Sequence, residues 1–215
     1  MSSLVVRNLS DQLVELVRDR IISGEVPPDQ PIRQDALAAE LGVSKIPLRE
    51  ALTRLEQEGL LRSQANRGFF VRAMSAEEAE EVYALRLMLE PDLAGQAALL
   101  ADDAQRRKAE DVMEQLIATT VARGVSVGAL NRAFHVALVA PANRPITTVI
   151  LERLHVLSER YVRKTLESDD RNDSSSLEHR EMLDAWLARD AARVSALVRV
   201  HIEDTLNDLR SRLGS

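Results

Sequence analysis

The 215-residue sequence predicts a mainly α protein: an N-terminal winged helix-turn-helix followed by an antiparallel bundle of six to seven helices. Three observations predict it. Turn formers crowd the first third of the chain, where Gly24, Gly42, Gly59 and Gly68 alternate with Pro27, Pro28, Pro31 and Pro47. After Pro145 there is no proline, and between Gly128 and Gly214 no glycine. Such a tract, rich in Leu, Ala, Arg and Glu, lacks helix breakers and should be almost wholly helical. Aromatic residues make up only 3% of the chain, which speaks against a β-sandwich or barrel. The boundary is expected near residue 73, giving domains 1–73 and 74–215.

The first element is a helix whose apolar stripe is Leu9, Leu13, Leu16, Val17 and Ile21, ending near Gly24. Pro27-Pro28 and Pro31 carry an extended connection. Ala36, Leu37, Ala38 and Leu41 form a short helix stopped by Gly42. Ser44 is placed to cap the next helix, and Pro47 falls in its first turn, where a missing N–H breaks no intrahelical bond. That helix runs to about Glu58, with Gly59 at its end. Leu48, Ala51, Leu52 and Leu55 share its inward face, while Lys45, Arg49 and Thr53, four apart, share the outward one. Two short apolar runs around a polar turn, Gln64 to Gly68, then read as a hairpin. A helix-turn-helix followed by a hairpin is a winged helix, and its second helix is sized for a DNA major groove.

The second part opens at Ser75-Ala-Glu-Glu78, a capping-box spacing, into a helix through Val82, Leu85, Leu89 and Leu93 that Pro91 should kink. Helices are expected over about 102–122, 127–140, 145–167, 177–189 and 191–212. A polar loop is expected from Ser168 to Ser176, ending in a second capping box at Ser175.

Composition bounds the chemistry. With no cysteine there is no disulfide, Cys-ligated zinc, iron–sulfur cluster or thiol nucleophile. No run approaches the roughly 18 apolar residues that span a bilayer, and the N-terminus lacks the pattern of a secretory leader. A cytoplasmic protein with no membrane partner is expected. Taken alone, the net charge of −6 argues against nucleic acid, but its distribution reverses that. Residues 1–74 hold ten basic and ten acidic side chains, and residues 44–72 hold six and three, a local +3. The whole excess of acid lies in 75–215. A local basic face is enough for phosphate contacts.

Four histidines, 135, 155, 179 and 201, carry the remaining chemistry. Asn131 and His135 leave one face of a helix. His179 and His201 are each 11 residues from Asp190, the joint between two helices. In an antiparallel pair they therefore sit level, roughly 16 Å from the turn. Three imidazoles and an oxygen with open positions suit Zn, Ni, Fe or Mn. Spacing alone leaves ordinary, partly buried histidines as an open alternative. His155 has no partner in this scheme and is expected to be structural.

GVSKIPLREALTRLEQEGLL (Gly42 to Leu61) with NRGFFV (Asn66 to Val71) resembles the DNA-binding domain of the GntR family of bacterial transcription regulators. The upstream GEVPPDQPIRQDALAAEL fits the same pattern. The resemblance implies DNA contacts from Ser44, Lys45 and Arg49 on the second helix, from Arg67 and Gly68 at the wing, and more weakly from Arg33. An arginine at Arg49 can bond a guanine edge bidentately or clamp a phosphate. Lys45 stands where the family usually has arginine.

Further on, ALRLMLEPDLA (Ala84 to Ala94), NRAFHVAL (Asn131 to Leu138), PANRP (Pro141 to Pro145), LEHREMLDAW (Leu177 to Trp186) and VRVHIEDT (Val198 to Thr205) resemble the effector-binding domain of the FadR-like branch. Many of its members hold a divalent metal through an Asp and three His. The matching positions here are Asn131, His135, His179 and His201, so an amide replaces the family's carboxylate. Arg86 matches an arginine that faces an acidic effector, the alternative for it being a surface ion pair with Glu90. Asn143 fits the pattern as a cap rather than a ligand. The resemblance implies a homodimeric regulator, expected to repress, that binds a palindromic operator in double-stranded DNA and answers to a small carboxylate. Two other classes were weighed: a metal-dependent hydrolase with Glu178 or Glu181 as base, and a non-catalytic assembly bundle with an apolar dimer face.

Overall fold

The structure, a computed structural model, describes residues 9–122, 127–165 and 169–213, with side chains among them except those of 162–173 and 213. The chain divides into two units that part between Ala73 and Met74.

The N-terminal unit contains α1 (Leu9–Ile22), α2 (Gln34–Glu40), α3 (Lys45–Gln57) and the antiparallel pair β1 (Leu61–Gln64) and β2 (Gly68–Val71). Its core is Leu13, Val14, Val17 and Ile21 of α1 against Leu48, Ala51, Leu52 and Leu55 of α3. Leu9 and Leu16, expected in the α1 stripe, are half-exposed instead. The buried arc is centred on 13, 14, 17 and 21, and Val14 takes their place, because a helix facing one neighbour buries only a narrow stripe. The buried Arg18 forks onto Glu58 (Nη2 to Oε2 2.7 Å) and ties α1 to the end of α3. Ser44 stands at the N-cap of α3 with extended backbone, but its side chain makes no capping hydrogen bond.

The second unit contains α4 (Ala76–Leu100), α5 (Asp103–Val121), α6 (Val127–Val139), a 3₁₀ turn (Ala140–Ala142), α7 (Pro145–Thr165), α8 (Asp169–Leu187) and α9 (Ala191–Leu213). Side-chain contacts fix the directions. Glu80 meets Arg210 at one end of α4 while Gly95 abuts Ala191 at the other, so α4 and α9 are antiparallel. Glu90 meets His155 and Ser75 meets Tyr161, so α7 also runs against α4. Trp186, Tyr83, Tyr161 and Phe134 fill the core, and the Trp186 indole donates to the Leu138 carbonyl at 3.0 Å.

Two local expectations change. The Ser75 side chain accepts from the Glu78 amide at 3.1 Å, but its own amide donates to the Tyr161 hydroxyl at 3.3 Å. The box is half built, and a tertiary partner completes the cap. Pro91 lies inside α4, which runs from Ala76 to Leu100. The polar stretch read as a loop is helical from Asp169, and Ser175 is buried inside α8 rather than capping it. Ser168 lies outside the described residues. Serine and aspartate suit a helix start as well as a loop.

At Gly95, α4 lies directly against the start of α9. A Cβ there would sit 2.7 Å from the Ala191 carbonyl oxygen, which is backbone and cannot rotate away. Alanine normally favours a helix over glycine by about 1 kcal/mol, but the clash should outweigh it. Gly95→Ala is expected to destabilise this unit by about 1–3 kcal/mol net, measured as a lowered thermal midpoint; an unchanged or raised midpoint would show that the helices part freely there.

Candidate DNA-reading face and buried histidine centre

In the N-terminal unit the candidate DNA residues cluster on α3 and the wing. Lys45, Ile46, Arg49, Glu50 and Thr53 are all exposed, opposite the face that packs on α1. Several of these charges have partners: Lys45 Nζ lies 2.5 Å from Asp35 of α2, Glu50 accepts from Ser10 at 2.8 Å, and Arg54 pairs with Asp11. Arg49 has no ion pair among the described residues. At the wing, Asn66 (φ 58°) and Gly68 (φ 85°) take left-handed backbone, and the Arg67 amide closes the turn onto the Gln64 carbonyl at 3.0 Å. A Cβ on Gly68 would meet the Gln34 side chain at 3.3 Å, in a conformation that disfavours L residues in any case. Arg67 and Arg62 both lie over the Phe70 ring, at 5.6 and 5.0 Å from its centroid, which steadies two cations beside the turn. Arg33 is exposed at the N-cap of α2.

In the second unit the bundle interior is charged. Arg86, Glu90, His135, His155, His179 and His201 are all buried. One nitrogen from each of His135, His179 and His201 falls within 4.8 Å of the others, and the His179 and His201 ring centroids are 4.7 Å apart. Carboxylates lie against two of these rings: Glu90 Oε1 is 2.7 Å from His135 Nδ1, and Glu178 Oε2 is 2.6 Å from His201 Nδ1. The hydrogen bond of Glu178 to His201 Nδ1 fixes that ring's tautomer and leaves its Nε2 to present a lone pair. Neither nitrogen of the buried His135 has a partner in hydrogen-bond geometry, the close Glu90 contact included. Asn131, buried on α6, shares with His179 a cavity of about 10 Å³ that Thr120, Ser175 and Ser176 also line. That is room for about one water.

Arg86 points inward, and its partner is Glu90, with Nε to Oε2 at 2.9 Å and both side chains at most 3% exposed. The pairing at i+4 is the alternative foreseen from the sequence, but it lies in the core rather than at the surface. Its Nη1 reaches the Ser158 hydroxyl at 3.4 Å. His155 was expected to be structural and alone. It stacks on His135, with centroids 5.1 Å apart, and its Nε2 lies 3.3 Å from Glu90. Glu90 therefore joins Arg86, His135 and His155. Glu90, His135 and His155 also lie close enough together to surround a cation, but the Arg86 guanidinium already fills that role and would repel a second one. Asn143 caps the 3₁₀ turn in left-handed backbone, its amide bonded to Ala140.

Burial sets the charge states. It pushes His135 down to about 4 against the opposing pull of Glu90, and His201 down to about 4 against Glu178. It lowers His155 too. Burial would raise Glu90, but Arg86 and then the imidazoles outweigh it and hold the carboxyl well below its usual range. The centre is thus neutral imidazoles around one buried ion pair. In chelator, the unfolded chain takes up protons on these histidines below about pH 6.5, while the folded chain resists until about 4. Their contribution should be intact above pH 6.5 and lost as pH falls through 4, up to about 3 kcal/mol per ring. The thermal midpoint of the metal-free protein should drop across that window, and less steeply in His135→Gln.

A winged helix joined to a helical domain is an architecture of bacterial transcription regulators. Residues 9–71 match the family of bacterial regulatory proteins, gntR family, and residues 81–204 match the FCD domain. The chain belongs to the gntR family of bacterial regulatory proteins, in the form that carries an FCD domain. It is 30% identical over 212 residues to BphR of Paraburkholderia xenovorans (strain LB400), described as an uncharacterized HTH-type transcriptional regulator, covering 95% of this chain and 86% of that one. It is 30% identical over 198 residues to the HTH-type transcriptional repressor GlaR of Escherichia coli (strain K12), covering 86% and 89%. The fold is also that of E. coli McbR/YncC, with a TM-score of 0.80 at 20% identity over 99% of each chain. These proteins place the chain among DNA-binding transcription regulators and not among enzymes. Glu178, weighed as a catalytic base, is bonded to His201, and Glu181 is exposed. Among the described residues no helix is long and apolar enough to cross a membrane.

Proposed function

We propose that this regulator is a homodimeric repressor, acting on a palindromic operator in the cytoplasm, whose affinity for DNA is controlled by a small carboxylate bound beside a divalent metal. The observation that carries this reading is the buried centre, where Arg86, held at 2.9 Å by Glu90, stands next to three histidines able to share one ion. Burying a guanidinium, a carboxylate and four imidazoles costs more than an apolar core of the same volume. A bundle that needed only stability has no reason to keep them, which also weighs against a purely structural assembly module.

The donor set fits the group. His135, His179 and His201 supply neutral nitrogens, Asn131 can add an amide oxygen, and Zn, Ni, Fe or Mn all accept such ligands. The metal would supply a Lewis-acid anchor for an effector oxygen. The chain does the rest. Glu178 holds the His201 imidazole in one tautomer, and Glu90 sets an anion 2.7 Å from His135 Nδ1. Arg86 offers a planar pair of donors to a carboxylate. An effector carboxylate must share or displace Glu90 on Arg86, and the 10 Å³ cavity at Asn131 and His179 must widen to admit it. That movement is the proposed link to the DNA-binding units, because a dimer reads two half-sites at fixed spacing and a small rotation mismatches them.

The test is operator release. Full-length protein on a duplex selected from a random-sequence pool should be displaced by one class of small carboxylate, given with Zn, Ni, Fe or Mn. Arg86→Ala should raise the concentration required by about tenfold or more. An Arg86→Ala protein released at the wild-type concentration would remove the arginine from the effector site.

A further inference from the structure

The outward face of α3 holds one residue that solubility does not explain. Ile46, the second residue of the helix, is 73% exposed. Every other large apolar side chain on α3, Leu48, Leu52 and Leu55, is fully buried. Ile46 stands between Lys45 and Arg49, on the wall of an open groove of about 600 Å³ that Ser10, Arg49, Glu50, Thr53 and Arg54 also line. Nothing among the described residues covers it.

The placement limits what it can contact. The first turns of a reading helix meet base edges, and the flanking cations keep this face near phosphates rather than an apolar protein surface. An isoleucine can neither donate nor accept a hydrogen bond, so it cannot read the polar pattern of any base pair. The one apolar feature that the major groove displays is the C5-methyl group of thymine. Contact with that methyl would bury on binding the surface that Ile46 leaves in water when the protein is free. We propose that Ile46 is a specificity-determining residue that reads a thymine methyl in each half-site, close to the base pair or phosphate engaged by Arg49.

The proposal rests on α3 being the reading helix, and the experiment separates the two. Full-length wild-type protein selects its preferred duplex from a random-sequence pool, and each thymine is then replaced singly by deoxyuridine, which removes only the methyl. One such change per half-site should weaken wild-type binding about fourfold, the factor for one methyl-sized group returned to water. Ile46→Ala should bind the all-thymine duplex more weakly by a similar factor and be indifferent to that change; Ile46→Val should remain sensitive. The proposal is overturned if no deoxyuridine change affects the wild type, if Ile46→Ala keeps the same sensitivity, or if Ile46→Ala weakens every duplex equally. Wild-type affinity retained in Arg49→Ala would instead discard α3 as the reading helix.

Discussion

Arg49→Ala is expected to weaken operator binding by about tenfold to a hundredfold, the largest loss for any single exposed residue of the N-terminal unit. Arg49 lies on the second turn of α3, opposite the Leu48, Leu52 and Leu55 face, and is exposed with no ion pair among the described residues. Its removal should not disturb folding, so lost affinity can be read as lost contact. If it forks onto a guanine edge, the cost falls on one base pair, about 1–3 kcal/mol, and specificity relaxes there. If it clamps a phosphate, all duplexes weaken together and the slope of log affinity against log salt falls by about one. Lys45→Ala is a useful contrast. Lys45 is already paired with Asp35, an exposed pair worth about 0–1 kcal/mol, so its contact with DNA must compete with a partner. Filter or fluorescence titrations at several salt concentrations separate these cases. Wild-type affinity and slope in Arg49→Ala would sink the assignment.

Periodicity made one half of this protein legible and hid part of the other. The two faces of α3 could be read because its apolar residues repeat at helical spacing. The level meeting of His179 and His201 could be read because both are 11 residues from one turn. In the structure that turn is closed by Arg189, in left-handed backbone, and by Asp190. Glu90 and His155 escaped for a different reason. Their partnership is made across α4 and α7, and no local pattern says which residues of two antiparallel helices come opposite. A signal was present on α4 itself. Ala79, Val82, Tyr83, Leu93, Ala94 and Ala97 form its buried stripe, and Arg86 and Glu90 fall on the same stripe. Two opposite charges at i+4 within an apolar face point to a buried pair, not a solvated one. The start of α8 was missed because serine and aspartate favour both loops and helix N-termini, and composition alone does not choose between them.

The proposed metal site yields a prediction of similar size. Protein purified with Zn or Ni is expected to hold about one ion per chain, and His179→Ala/His201→Ala to hold essentially none, by elemental analysis. Two of the three nitrogens within 4.8 Å of one another are then gone, and His135 with the neutral amide of Asn131 cannot retain an ion alone. Stability offers a second readout. An ion at a thousand times its dissociation constant adds about 4 kcal/mol to the folded state, so the wild-type thermal midpoint should rise on metal addition while that of the double variant stays still. Glu90→Gln distinguishes an orienting carboxylate from mere packing. The four imidazoles, Arg86 and Glu178 would remain, but the anion 2.7 Å from His135 Nδ1 would be lost, and loss of such a partner typically weakens metal binding tenfold to a hundredfold. The same change leaves Arg86 buried beside a neutral amide, a loss of up to about 3–5 kcal/mol in folding stability. Metal affinity and metal-free stability should therefore both fall in Glu90→Gln. If only stability falls, Glu90 serves Arg86 and not the histidines; if the double histidine variant keeps its full metal content, the centre is not a metal site at all.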